Sequence, residues 1–483
     1  MNLTLPQKSY SSFIYIIFLF AFAILLCGYN LFNGFGEDAD SVRIVESAIK
    51  SQQLHTLIPS RSWGYPLYEG LAYTLIDTFI PNLLVPKLLS LMLLLGTVYL
   101  LFKILTRLTL PSPLAYLLCI VFLCNPLVII SGNSILETGM SMFFLMAILY
   151  YFVCTTPGKK LTFENYCWYG VLFGLANLAR PDNMLYFAAI FLFLIIRKEI
   201  NILYIFISVL IFFLVGLLPY FLINYPIFQV TAVGIQYKIM VVAKNFAALF
   251  GLPLLILLTA GISLRFSSYK PVLLKVFNRK NDTFLFLAIV AGIIFLRVLK
   301  LADELEYGLL IWPIFIVLLG MNIKALSEIK GSRNTQRVLV AIAVAAFLPN
   351  LVQIYFFKEV NFNYKFSVGL TSGVLQQEKE RRILNASFFY NSEKILTSAS
   401  DSLRKKGLNY PQHIHYTDCD TCVVLTTVRD YKLYQKTINA TGTDLSRNRI
   451  VFTPVFNISR GWRNFIKDNY MPPFTERALV LLH

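Results

Sequence analysis

Residues 13–43 read FIYIIFLFAFAILLCGYNLFNGFGEDADSVR, and the fold class follows from this stretch. Phe13 to Phe32 is a run of about twenty residues that are almost all apolar, enough for one helical crossing of a ~30 Å hydrocarbon layer. The run gives way to Glu37, Asp38 and Asp40, carboxylates placed where a membrane helix would leave the bilayer. Acidic residues there are either solvated loop side chains or a functional cluster at the membrane surface. The run begins with little positive charge and no small-residue cleavage site follows it, so it reads as a retained helix.

The composition extends that reading to the whole chain. Of 483 residues, 57% are hydrophobic and 14% charged; a soluble domain carries about 25% charged residues. A polytopic membrane protein follows, and a soluble enzyme is excluded. The net charge of +17 fits basic loops facing the cytoplasm and anionic lipid head groups, without invoking nucleic acid. Cys27, Cys119, Cys124, Cys154 and Cys167 fall in or beside apolar runs and read as small packing residues.

Hydropathy predicts about eleven spans, at 13–32, 83–102, 113–131, 138–154, 165–179, 183–197, 202–223, 245–264, 282–299, 308–326 and 337–356. The fifth and sixth are short, and Arg180-Pro181-Asp182-Asn183 between them predicts a turn. With a cytoplasmic N-terminus, the inner loops hold about sixteen basic residues and the longer outer loops about nine, as the positive-inside rule requires. Residues 33–82 are then a long first outer loop. In it, Ser41 to Lys50 predicts a surface helix with Val42, Val45 and Ile49 on one face, and Leu67 to Ile76 predicts a second. The chain divides into a membrane module, 1–356, and a soluble outer α/β domain, 357–483. The latter is expected to hold a helix from Ser392 to Lys406 and strands at Cys422–Val428 and Arg449–Phe456. No internal repeat is evident.

Several polar residues at span ends are candidates for chemistry. Asp40 is a carboxylate at a membrane helix end, suited to act as a general base toward an acceptor nucleophile. Asp38 is a second acid, a metal ligand or a solvated neighbour. Arg43, three residues after Asp40, either holds it ionised or contacts a phosphate. Glu137, flanked by long apolar runs, is a functional candidate or a loop-end residue. Arg180 and Asp182 form a phosphate contact or a structural pair. Arg297, Lys300, Glu306 and Tyr307 bracket a charged outer loop whose cations suit a departing phosphate or simply snorkel.

Cys419 and Cys422 read as a disulfide on an oxidising outer side; with His413 and His415 they leave zinc open, and free thiols are the third reading. Asn281, Asn385, Asn439 and Asn457 begin Asn-X-Ser/Thr triplets.

Four short stretches resemble the GT-C class of membrane glycosyltransferases, in the branch of protein O-mannosyltransferases and the lipid A aminoarabinose transferase. They are Asp40-X-X-Arg43 with Ala48; Ser60-Arg61-X-X-Gly64-Tyr65-Pro66-Leu67-Tyr68-Glu69; Arg180-Pro181-Asp182 after the Gly170-to-Ala176 helix; and Glu306-Tyr307 leading into Ile311-Trp312-Pro313. The resemblance implies an all-α membrane module with two surface helices in the first outer loop and a polyprenyl-phosphate sugar as donor partner. It implies an acceptor that is a surface glycan, a lipid or a protein, and inverting transfer at the outer face of a bacterial inner membrane. Asp40 would match the family's base, with Asp38 and Glu137 as further acidic residues. Arg43, Arg61, Tyr65, Glu69, Arg180, Asp182, Arg297, Lys300, Glu306 and Tyr307 would surround the substrates. Glu306 stands where the family often has arginine. Ala39 separates the acidic pair, which leaves a divalent metal open; no other cofactor is indicated. The rival readings are a polysaccharide polymerase or ligase using a polyprenyl-linked glycan, and a lipid-linked sugar transporter with repeated halves and broken helices.

Overall fold

The computed structural model describes residues 8–28, 44, 47–48, 51, 54–60, 64–79, 84–125, 128, 131–132, 135–199, 201–223, 281–300, 306–330, 422–427, 449–452 and 477–482. Asp38, Asp40, Arg43, Arg61, Cys419, His413, His415, the spans expected at 245–264 and 337–356, the helix expected at 392–406 and the triplets at Asn385, Asn439 and Asn457 lie outside them.

The described chain is mostly helical: α1 (Lys8–Gly28), α2 (Pro66–Phe79), α3 (Leu84–Arg107), α4 (Ser112–Leu123), α5 (Thr138–Thr155), α6 (Phe163–Ala179), α7 (Met184–Arg197), α8 (Ile202–Phe212), α9 (Leu218–Leu222), α10 (Asp282–Lys300), α11 (Glu306–Leu309) and α12 (Ile311–Lys330). Three helical stretches among the described residues are long and apolar enough to cross a membrane: Val85–Arg107, Thr138–Thr155 and the continuous run Ile202–Leu222. The third expected span is shorter than its hydropathy. Helix α4 stops at Leu123, because Asn125 precedes Pro126 and a residue before proline is driven out of the helical region. The carbonyl of Phe122, exposed by that ending, accepts the indole N–H of buried Trp312 at 3.1 Å.

The turn expected at Arg180 is present as a single 3-10 turn, Pro181–Asn183, between α6 and α7. Phe173 and Phe187 lie seven residues to either side of Arg180, yet their ring centroids are 5.3 Å apart. A continuous helix would separate them by about 21 Å, so the chain reverses there. At the far end of this hairpin Arg197 pairs with Asp282 (Nε to Oδ1, 3.0 Å), and the N–H of Gly158 donates to Asp282 Oδ2 at 3.1 Å. Three connections assigned by charge to one side of the membrane therefore meet at one end of the bundle. Asn281 caps α10 through Oδ1, accepting from the N–H of Phe284, and Thr283 is buried, so this triplet serves the helix start.

In the first loop, α2 opens at Pro66, as proline favours. Before it, Ile44, Ser47, Ala48 and Ser51 are helical and buried. Their spacing marks one helix face; Val42, Val45 and Ile49, expected to share a face, lie outside the described residues. Ile44 and Ala48 pack in one apolar cluster with Tyr65, Tyr68, Ala72 and Tyr73 of the α2 region and with Leu136, Met140 and Ala179. The first loop thus sits on the ends of α5 and α6. Three antiparallel strands, β1 (Cys422–Thr427), β2 (Arg449–Phe452) and β3 (Arg477–Leu482), pair in the order β1-β3-β2. The first two coincide with expected strands; β3 was not expected.

Helices α6 and α8 approach through glycine. A Cβ on Gly174 would lie 2.9 Å from Val215 Cβ, one on Gly216 would lie 2.8 Å from Gly174 Cα, and one on Gly170 would lie 2.7 Å from the Ser208 carbonyl oxygen. Small residues four apart allow backbones of membrane helices to touch. A π-turn, Phe213–Leu217, falls at the crossing, and Asn177 Nδ2 donates to the Gly216 carbonyl at 2.7 Å. Gly174→Val should lower the thermal unfolding midpoint of detergent-purified protein by the equivalent of about 1–3 kcal/mol of overpacking. An unchanged midpoint would show that the crossing is not close-packed.

Candidate active site

Four charged side chains from three separate segments converge at the Arg180 end of the hairpin. Glu137 precedes α5, Arg180 and Asp182 sit in the turn between α6 and α7, and Arg297 lies near the C-terminus of α10. Arg180 Nη1 is 3.6 Å from Glu137 Oε1 and 3.4 Å from the Thr138 hydroxyl; its Nε is 3.4 Å from Asp182 Oδ1. Arg297 Nε lies against Asp182 Oδ2, and its Nη1 donates to the Tyr186 hydroxyl at 3.2 Å. Glu137, Arg180 and Arg297 are all at most 4% exposed, which only mutual compensation of charge allows. The four groups carry two positive and two negative charges.

Local sequence explains the geometry. Proline at 181 permits only an extended Arg180, whose φ of −160° and ψ of 120° end α6 and turn the guanidinium away from the helix axis. The turn is locked from behind by Asn183, which is fully buried. Its Nδ2 donates to the Ala176 carbonyl at 2.8 Å, and its Oδ1 accepts from the Ser141 hydroxyl at 2.9 Å. Above Arg180 stands Tyr65, with the guanidinium carbon 6.0 Å from the ring centroid, at the reach of a cation–π contact. Tyr220, at the end of the α8–α9 run, donates its hydroxyl to the Asn177 carbonyl at 3.1 Å and approaches that of Gly64 at 3.4 Å. It thereby joins the first loop to the hairpin. Glu69, one turn after Tyr65, is fully buried and accepts from both the N–H and the hydroxyl of Ser60.

The structure therefore brings Tyr65, Glu137, Arg180, Asp182 and Arg297 together, while Glu69 anchors the Ser60 strand of the first loop. The backbones of Lys300, Glu306 and Tyr307 lie in α10 and α11, with their side chains outside the described set. Tyr186, Thr138 and Tyr220 are added by the structure, and Asn183, which the sequence marks as a turn residue, is drawn into the same network. Tyr186 follows Asp182 by one helical turn, and that spacing was the available signal. Among the described residues no group of three or more His, Cys, Asp and Glu side chains is placed to hold a metal ion.

Asp182 touches both arginines. Asp182→Asn should cost about 3–5 kcal/mol, as breaking a buried pair does, read as a drop in the unfolding midpoint in detergent. A change comparable to that of an exposed substitution would mean the arginines are compensated elsewhere.

No protein-family model matches this chain, and no curated protein sequence does. Two solved structures of ArnT from Cupriavidus metallidurans are similar in fold. The one bound to undecaprenyl phosphate has a TM-score of 0.52 and 12% identity over 80% of this chain and 72% of that one. The apo form has a TM-score of 0.51 and 13% identity over 80% and 73%. At this identity the likeness is one of fold: over 80% of its length this chain shares the fold of these ArnT structures, in agreement with the architecture implied by the sequence resemblance.

Proposed function

We propose that this protein is an integral membrane glycosyltransferase that moves a sugar from a polyprenyl-phosphate donor to a surface glycan, lipid or protein. The observation that carries the reading is the fold shared with an ArnT structure that holds undecaprenyl phosphate. The buried cation-bearing turn at Arg180, roofed by Tyr65 of the first loop, supports it. Asp40 is the general base in this reading. It lies four residues from buried Ile44, whose cluster includes Leu136 and Ala179, so the chain tethers it within about 14 Å of Ile44. Glu137 and Arg180 are the sequence neighbours of those two residues.

In the reaction, Asp40 takes the proton of an acceptor hydroxyl. The oxygen attacks the anomeric carbon from the face opposite the phosphate, and the bond to the phosphate oxygen breaks with its electron pair. Configuration inverts, and the lipid phosphate leaves. Cations stabilise the charge that develops on it; Arg180, Lys300, Arg43 and Arg61 fill that role, and Asp38 supports Asp40. A divalent metal at Asp38 and Asp40 remains compatible with the pair. The catalytic module is 1–356, and 357–483 forms an outer α/β domain carrying a Cys419–Cys422 disulfide.

Asp40→Asn should abolish transfer from polyprenyl-phosphate sugars by purified enzyme while leaving lipid-phosphate binding within about threefold, because only the base is lost. Full transfer by that variant would remove Asp40 from the mechanism. A reporter fused after His483 should be active on the outer side of a bacterial inner membrane; a cytoplasmic signal would reverse the orientation.

A further inference from the structure

Asp182 and Arg297 belong to a repeated arrangement. Arg197 follows Asp182 by fifteen residues along the turn and α7, and Arg297 follows Asp282 by fifteen along α10. Asp182 pairs with Arg297 at one end, and Arg197 pairs with Asp282 at the other. Between them the rings of Phe193 and Phe286 meet edge to face, 6.0 Å between centroids. Every step forward along α7 from Asp182 to Phe193 to Arg197 is matched by an equal step back along α10. The helices are antiparallel in one register, and each has its acid at the start and its arginine near the end, as the helix dipole favours. A shift by one turn, about 5.4 Å, would break both pairs at once.

From this reciprocity we infer that Arg297 is a positioning residue and not a contact for the donor phosphate. It is the outer half of a two-ended clamp that fixes α10 against α7. Its Nε is engaged by Asp182 and its Nη1 by Tyr186, both from the adjoining turn and helix. Asp182 Oδ1 also lies 3.4 Å from Arg180 Nε, the edge with which a guanidinium grips an oxyanion, so the charge that Arg297 balances is the one facing that edge. Arg180 is the arginine of the cluster that lies beneath the first loop. Arg297 balances the carboxylate that would otherwise compete for it.

The inference rests on the donor reading above, and the test separates the two. Full-length protein in nanodiscs is titrated with a polyprenyl monophosphate lacking sugar, comparing wild type, Arg180→Gln, Arg297→Gln and the balanced double variant Asp182→Asn/Arg297→Gln. Unfolding midpoints are measured without lipid. Arg180→Gln should weaken binding by about tenfold or more, as loss of a charged contact does. Arg297→Gln should also weaken it, because Asp182 is left unbalanced, and the double variant should return to within about threefold of wild type. The double variant should also recover part of the midpoint lost in Arg297→Gln. If that single variant does not fold, the double variant against wild type carries the comparison. Binding by the double variant still tenfold or more weaker than wild type would make Arg297 a donor contact and overturn the inference. Absence of midpoint coupling between Asp182 and Arg297 would overturn the clamp. Failure of wild type to bind, with midpoint coupling intact, would reject the donor reading and leave the clamp standing.

Discussion

Burying Arg180 and Arg297 beside Glu137 and Asp182 is the constraint on which the rest of the bundle depends. Moving one such ion out of water costs several kcal/mol even after relaxation, and attraction offsets this only when partners are held in close geometry. Those partners come from positions 137, 180–182 and 297, so α5, the α6–α7 hairpin and α10 must share one end. The apolar core places the helices side by side without choosing their vertical offset, because rings such as Phe152 and Phe286, stacked at 4.0 Å, tolerate sliding better than ion pairs do. Paired charges at both ends of α7 and α10 remove that freedom.

Much of the helical frame is legible in the sequence, since long apolar runs bounded by basic or turn residues leave little choice of element. A helix stands at each of the nine expected positions that fall among the described residues, and the Arg180 reversal follows from Pro181 with the polar Asp182 and Asn183. Elsewhere hydropathy misleads. The run 113–131 reads as one span because its residues are uniformly apolar, yet a single Asn-Pro step ends the helix at Leu123. In the first loop, Ile44, Ala48 and Ser51 pack inward, and alanine and serine carry too little apolar signal to mark that face in the sequence. Strand β3 has no distinct signal, because RALVLL suits helix and strand equally by composition.

The candidate site was legible as a list of charged positions and illegible as a network. Hydropathy marks Glu137, Arg180 and Arg297 as costly, but pairing needs the tertiary offset. One pairing was available in advance. Acid and arginine recur at the same interval in two neighbouring spans, Asp182 to Arg197 and Asp282 to Arg297, which antiparallel packing turns into two contacts. Tyr186 and Asn183 carry no charge, so the sequence marks Asn183 only as a turn residue and Tyr186 only by its spacing from Asp182, although they orient Arg297 and lock the turn.

The two ends of the α7–α10 pair use the same chemistry but differ in surroundings. At the Asp282 end, Arg197 is 30% exposed, and the remaining contacts are the Gly158 N–H and Glu199 at 4.0 Å. Water there screens the pair, so its contribution is modest. At the Asp182 end a second arginine and a second carboxylate join, and the first-loop helices close over them through Tyr65, Ile44 and Ala48. A plain clamp would need neither the extra ion pair nor the roof. At that end a cation is held in a low-dielectric setting, where its attraction for an oxyanion would be strongest, and the proposed lipid-phosphate donor would supply that oxyanion. The asymmetry between equivalent ends separates what the bundle requires for packing from what chemistry at one membrane face would require of it.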